Sequence, residues 1–148
     1  MLKFMELKGL NEVISNLRNY GKEAEKDIEA VTEMTARKIE SYAKAEAPAN
    51  FGKLGQSIKA VEQDKTHWNI EAGGVLAPYA PFVEFGTGGL VDVPNELKEV
   101  AIKFKGKGIK QVNLRARPYL YPSLLRGRKE YLDKLKIVLS KYGKTKSK

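Results

Sequence analysis

The sequence predicts an α+β domain in which a small antiparallel sheet packs with a long N-terminal amphipathic helix and a C-terminal helix. Two long segments, one before residue 48 and one at the C-terminal end, repeat apolar residues every three or four positions, which is typical of amphipathic helices. Between them, residues 66–72 alternate apolar and polar side chains, as a half-buried strand does. The 148 residues fit a single domain, 1–148, with one core.

The N-terminal third is predicted to contain an arm and two helices. Leu2–Leu7 is a short strand or extended arm, and Asn11 can cap a short helix that ends near residue 20. The long helix runs from Lys22 to Ala47. Pro48 ends it, because proline disfavours helical backbone in the residue before it. We expect residues 49–56 to form a glycine-bearing loop.

A β-hairpin is predicted next. Its strands are Ser57–Gln63 and Thr66–Ala72, joined by a short turn at Asp64-Lys65. Successive side chains of a strand point to opposite faces of the sheet. The apolar face of the second strand is then Trp68, Ile70 and Ala72, and the polar face is His67, Asn69 and Glu71.

The C-terminal half is predicted to contain two helices and one strand. Asn95–Phe104 has a helical pattern that follows Pro94. Residues 111–116 alternate as a strand does, and the last helix spans Ser123–Tyr142. Residues 143–148 form a basic tail that we expect to fray.

Composition restricts the chemistry that the chain can perform. It has no cysteine and one histidine, His67, so thiolate zinc sites, cysteine nucleophiles and multi-histidine metal sites are excluded. We expect no cofactor and no metal. No apolar run approaches the roughly 18 residues that span a bilayer, and the first residues lack the apolar core of a signal peptide. We therefore expect a soluble, non-secreted protein without a membrane partner.

The formal charge of +9 is unevenly distributed. Lysine and arginine predominate in Lys98–Arg117 and again in the last helix and tail. Such a surface attracts polyanions or acidic proteins. A solvated basic surface that only maintains solubility is an equally good interpretation, and both remain open from composition.

The stretch Y79-A-P-F-V-E-F-G-T-G-G89 places one carboxylate, Glu84, among apolar and aromatic residues. As a catalytic acid, Glu84 would need a second catalytic group. No other carboxylate lies at a sequence spacing that indicates an acid–base pair with it. The glycines fit neither a Walker loop nor a dinucleotide fingerprint. His67 lies on the polar side of a predicted strand, where a surface histidine is the simpler interpretation. An architectural role is favoured for this stretch, with Glu84 paired to an arginine or accepting backbone N–H groups, and no enzyme is predicted.

Four segments, taken in order, resemble the neck or tail-completion proteins of long-tailed bacteriophages, the gene-ten-like head–tail joining family. In that family a long helix ends in A-P, and three further motifs follow before a closing helix. The resemblance covers residues 10–142. The matching segments here are A47-P48, F51-G-K-L-G-Q-S-I58, Y79-A-P-F-V-E-F-G-T87 and A116-R-P-Y-L-Y-P-S123.

The chain also departs from the family pattern. Asn50-Phe51 replaces the usual Asp-Thr of the first loop, Tyr119 replaces a phenylalanine, and Ser123 replaces an alanine. Residues 89–114 are longer than in compact members, which implies an insertion with its own helix.

The resemblance implies a structural virion protein. It implies a subunit of a ring, a hexamer, in the virion neck between the portal-side connector and the tail, assembled in the bacterial host cytoplasm. The ring would complete the tail or the head and join them around a channel for DNA. Its partners would be further copies of itself, connector and tail proteins, and DNA in non-specific contact. The resemblance carries over no catalytic residue.

Two sets of residues are predicted to serve assembly. We expect Glu84 to be tethered, with Arg117 as its partner, and we expect a basic loop to face the DNA channel or an acidic neighbour. The alternative function is a basic nucleic-acid-binding protein that acts through Lys98–Arg117 and the C-terminal basic surface. The predicted interface residues are Tyr79, Phe82, Glu84, Phe85, Arg117 and Tyr119, and the predicted channel residues are Lys103, Lys105, Lys107 and Lys110.

Overall fold

The computed structural model describes residues 2–6 by their backbone, and residues 20–87, 93–104 and 114–143. It confirms the α+β prediction, with long helices packed beside a small antiparallel sheet. A 3-10 turn at Asn95–Leu97 precedes the fourth helix. The elements in chain order are β1 (Leu2–Glu6), α1 (Lys22–Glu46), α2 (Gly52–Ser57), β2 (Lys59–Asp64), β3 (His67–Ala72), α3 (Ala80–Phe85), α4 (Lys98–Phe104) and α5 (Leu120–Gly143).

Helix α1 has nearly the predicted bounds. It follows Gly21, whose φ of 104° is accessible to glycine at little cost. The N–H of Ala47 donates to the carbonyl of Ala43 and closes the last turn before Pro48. One stripe of the helix is buried, as its apolar period predicts. The buried residues are Ala24, Ile28, Thr32, Thr35, Ala36, Ile39 and Ala43.

The segment before the hairpin differs from the prediction. Residues 52–57 form α2 instead of a loop, and β2 therefore begins at Lys59, two residues later than expected. Leu54 is fully buried and fixes this short helix in the core. The Ser57 hydroxyl donates to the carbonyl of Leu54 at 2.7 Å. The sequence of α2 does not predict a helix, because two of its six residues are glycine, which is a poor helix former.

The three strands within the described ranges lie in the order β1-β3-β2, and both pairings are antiparallel. The hairpin prediction is therefore confirmed, and the N-terminal arm adds the third strand. The apolar face of β3 is buried, as its alternation predicts, with Trp68, Ile70 and Ala72 at most 5% exposed. Asn69, on the opposite face of β3, is also buried, which the alternation does not predict.

Helices α1 and α5 run antiparallel. Asp27 near the start of α1 meets Lys141 near the end of α5, and the Thr32 hydroxyl lies 2.8 Å from the Tyr131 hydroxyl. The C-terminal half of α1 shares the main core with the sheet, α3 and the start of α5. A second, smaller cluster lies at the other end of the helix pair, formed by Ile28, Tyr131, Leu135 and Val138.

Helix α5 begins at Leu120, three residues earlier than predicted. Pro122 does not prevent this, because the N–H groups of the first turn have no partner within the helix and proline has none to lose. The predicted strand 111–116 is wrong over residues 114–116, which belong to an irregular stretch up to residue 119. Residues 111–113 and the short helix expected after Asn11 lie outside the described residues.

Candidate functional site: the junction of α3 and α5

Two of the four motif segments lie side by side in the structure. The irregular stretch 114–119 passes along α3 and the two residues that follow it, Gly86 and Thr87. The Arg117 N–H donates to the Val83 carbonyl at 2.8 Å, and the Thr87 N–H donates to the Leu114 carbonyl at 3.0 Å. The Leu114 N–H donates back to the Thr87 hydroxyl at 2.9 Å. We call this contact, residues 79–87 with residues 114–123, the junction.

Glu84 is the charged residue at the centre of the junction, and it is 2% exposed. Its Oε2 accepts the N–H groups of Tyr119 and Leu120 at 2.9 and 3.0 Å, and its Oε1 accepts that of Tyr121 at 3.0 Å. These amides belong to the start of α5, where N–H groups have no acceptor within the helix. A carboxylate there also interacts favourably with the positive end of the helix dipole. Glu84 therefore caps α5 from a different helix.

The environment of Glu84 exerts two opposing effects on its ionisation. Burial raises the pKa of the Glu84 carboxyl above its ordinary value, and the three N–H groups offset part of that rise. The neighbouring Tyr119 is fully buried, and its hydroxyl donates to the Ala80 carbonyl at 3.4 Å. Burial and the charge of Glu84 both raise the pKa of Tyr119. The arrangement thus keeps Tyr119 in its neutral, hydrogen-bonding form.

The predicted pairing of Glu84 with Arg117 is wrong. Both oxygens of Glu84 accept backbone N–H groups. This is the second of the two alternatives that the sequence offers for an architectural Glu84. The Arg117 residue is exposed, and its contribution to the junction is its backbone N–H. Backbone donors prevail here because the free end of α5 brings three of them together, and satisfying them requires no buried cation.

The local sequence explains why α3 can present Glu84 in this way. Pro81 occupies the first turn, where its fixed φ suits a helix and its missing N–H is not needed. Gly86 ends the helix with φ 69°. A Cβ atom on Gly86 would lie 2.5 Å from the Leu114 carbonyl oxygen. Only glycine therefore allows the backbones of the two segments to approach so closely.

The second motif segment, residues 51–58, also reaches the junction. The rings of Phe51 and Tyr79 have centroids 5.4 Å apart and are tilted by 41°. Both residues pack against the main core. Phe51, one of the departures from the family pattern, thereby links the loop before α2 to the start of α3. Aromatic pairs at this separation stabilise beyond the area that they bury.

The six predicted interface residues fall into two groups. Glu84, Phe85 and Tyr119 are buried inside the subunit, so the structure gives them a role in holding the junction together. Tyr79 and Phe82 are half-buried and Arg117 is exposed, so a second molecule can reach them. Of the predicted channel residues, Lys103 is exposed on α4. Lys105, Lys107 and Lys110 lie outside the described residues.

Sequence reasoning missed three side-chain hydrogen bonds of α5, one within the junction and two further along the helix. The Tyr121 hydroxyl donates to the carboxylate of Glu96, which links α5 to the 3-10 turn before α4. Glu130 accepts from Tyr42 at 2.8 Å and from Lys38 at 3.0 Å, which joins α5 to α1. The partners are 25 residues apart in the first case and at least 88 in the second. No local pattern in the sequence marks such pairs.

Other kinds of site were sought over the described ranges. Those residues contain no group of three or more histidine, aspartate or glutamate side chains placed to hold a metal ion. An open groove of about 280 Å³ lies beside Lys59 and Glu71, and its lining includes neither Glu84 nor His67. In the same ranges, none of the helices combines the length and the apolar character needed to cross a membrane.

Comparison with known proteins identifies the class to which this architecture belongs. Residues 11–86, which include α1, the hairpin and all of α3, match a family model described as "Bacteriophage HK97-gp10, putative tail-component". The protein is thus a structural tail component of a bacteriophage. The chain belongs to the HK97-gp10-like family, since the match covers half of its length. No curated protein and no solved structure matches it.

Proposed function

We propose that this tail component is a neck protein that closes into a ring, completes the tail or the head, and joins the two around the DNA channel. The observation that carries the proposal is the use of both Glu84 oxygens as a helix cap. A carboxylate committed to three backbone amides stabilises architecture, so we propose no catalytic role for it. The motif segments that meet at the junction then serve to build a rigid subunit for assembly in the virion.

Subunit contacts in such a ring require two different surfaces, one on each side of the subunit. The accessible part of the junction can supply one of them. Tyr79 and Phe82 are half-buried aromatic residues, and the exposed residue Arg117 is anchored near them by the hydrogen bond from its N–H to the Val83 carbonyl. Aromatic residues and arginine are enriched at the centres of protein interfaces. We propose that a neighbouring subunit covers these three side chains.

The experiment that tests this proposal measures the mass of the purified chain by light scattering over a range of concentrations. We expect a species of defined mass, a hexamer, with a central opening visible in electron micrographs. The double variant Phe82→Ala/Arg117→Glu should weaken association while its unfolding midpoint stays near that of the wild type. The control is Lys26→Glu, which changes an exposed residue of α1. A chain that stays monomeric, alone and with connector and tail proteins of its own virion, would contradict the ring.

A second candidate function is nucleic-acid binding, and the surface of α5 favours it. This helix carries six basic side chains against two acidic ones, Glu130 and Asp133. If the isolated subunit acts on DNA, it should bind tightly and lose affinity steeply as salt rises, because each phosphate contact releases counterions. A channel protein should bind DNA weakly when it is not assembled. The basic residues of α5 are Arg126, Arg128, Lys129, Lys134, Lys136 and Lys141.

A further inference from the structure

Helix α5 has a second apolar stripe besides the one that packs on α1. Leu125, Leu132 and Leu139 recur every seven residues, so they lie in one row along the helix. Leu125 is 44% exposed and Leu139 is 39% exposed, and Leu132 between them is half-buried. The row spans about 21 Å, or four turns. It lies about 100° around the axis from the buried row that begins at Leu124. We call it the leucine row.

Basic side chains border the leucine row. Lys129 and Lys136 each follow a leucine of the row by four residues, and Arg128 follows Leu125 by three, so all three are its neighbours on the helix surface. Among the described residues, Arg128 and Lys129 form no ion pair. Lys136 approaches Asp133 at 3.8 Å, but both side chains are more than 60% exposed, where such pairs contribute little. The charges of Lys129 and Lys136 are therefore available to a partner, whereas the charge of Arg128 already acts on the Tyr121 hydroxyl of its own subunit.

We propose that the leucine row and its basic border dock an amphipathic helix with acidic flanks, supplied by another protein. In coiled coils, leucines at heptad spacing insert between the side chains of the facing helix. Charged residues beside these leucines determine which partner helix binds. The partner helix would span at least 14 residues to cover the row. This surface is separate from the junction, and the inference holds whether or not the chain closes into a ring.

Charge and apolar character together distinguish this occupant from the two obvious alternatives. A second copy of α5 would place Arg128, Lys129 and Lys136 against the same cations, and like charges beside a heptad row are repulsive. Duplex DNA would satisfy the cations, but phosphate contacts make no use of exposed leucines. An acidic amphipathic helix satisfies both features of the surface.

The test uses the full-length chain and two synthetic peptides of three heptads. Both peptides carry leucine at the a and d positions, and they differ in having glutamate or lysine at e and g. Binding is measured by fluorescence anisotropy of the labelled peptide. We expect the acidic peptide to bind at least tenfold more tightly than the basic one. The double variant Leu125→Gln/Leu139→Gln should weaken binding of the acidic peptide at least tenfold.

Matched controls separate docking from general attraction to a basic protein. Ile137→Gln removes another exposed apolar side chain of α5, 67% exposed and on a different face, and should leave binding unchanged. Lys129→Glu/Lys136→Glu should reduce binding more than Lys22→Glu/Lys26→Glu, which makes the same change in net charge on α1. Equal losses in the two charge variants, or a leucine double variant that binds like the wild type, would overturn the proposal. So would duplex DNA that binds this surface in a manner sensitive to the lysines and insensitive to the leucines.

Discussion

Glu84 shows how one buried carboxylate can determine the start of a helix that is distant in sequence. Glu84→Ala removes the acceptor of three N–H groups at the start of α5. Unsatisfied buried donors are costly, and we expect a loss of about 3 kcal/mol in the free energy of unfolding. Glu84→Gln should lose roughly half as much, because its one carbonyl oxygen can replace only Oε2. Urea unfolding of the three proteins measures these differences, and three equal midpoints would contradict the cap.

Gly86 provides a second test of the junction at the scale of one residue. Alanine at this position combines a backbone φ of 69° with a Cβ placed 2.5 Å from the Leu114 oxygen. Gly74 has the same φ, but its Cβ would have nothing within 4 Å. Gly74→Ala should therefore show the backbone effect alone, about 1–2 kcal/mol. We expect Gly86→Ala to be clearly less stable than Gly74→Ala in the same unfolding assay. Similar losses would mean that the close approach of the two segments is not required.

At the scale of elements, the pairing of α1 with α5 depends on Gly127. A Cβ there would lie 2.1 Å from Cγ1 of Ile39, which is fully buried in the core. Overpacking of this kind costs about 1–3 kcal/mol, which outweighs the gain of about 1 kcal/mol for replacing glycine by alanine in a helix. Gly127→Ala should thus be destabilised. The matched control is Gly55→Ala in α2, where a Cβ meets no atom within 4 Å and a small gain is expected.

At the far end of the same helix pair, the contact between Asp27 and Lys141 predicts that the stability of the fold depends on pH. Hydrogen bonds from Lys141 and then Tyr142 hold the pKa of Asp27 below its ordinary value of 3.8. A carboxylate whose pKa is lower in the folded state than in the unfolded state stabilises the folded state. This stabilisation is complete at pH values above the unfolded-state pKa, and it disappears as pH falls through the folded-state pKa. The free energy of unfolding of the wild type should exceed that of Asp27→Asn by no more than about 1 kcal/mol at pH 7, and the difference should shrink as pH falls below 3.8. Unfolding midpoints of both proteins across this range measure it, and a difference independent of pH would contradict the assignment.

Elements in which apolar residues recur with a clear period could be predicted from the sequence. Contacts between distant segments could not. The stripe of α1 and the alternation of β3 are local signals, and both predicted elements form. The helix α2 contains two glycines in six residues, so tertiary burial of Leu54 decides its conformation. The motif around Glu84 indicated an architectural role. Its actual partners are amides of a helix end about 35 residues away, and a search among charged side chains leads to the wrong residue, Arg117.

At the scale of the whole molecule, the net charge of +9 gives self-association and DNA binding opposite dependences on salt. Copies of a basic subunit repel one another in a ring, and added salt screens that repulsion. Ring formation should therefore strengthen between about 50 and 500 mM salt, where the Debye length falls several-fold. DNA binding by the same chain should weaken over this range, because counterion release loses its driving force. Light scattering and a DNA titration on one sample series measure both. Self-association that weakens as salt rises would show that ion pairs hold the subunits together, and would contradict a ring held by the aromatic groups of the junction.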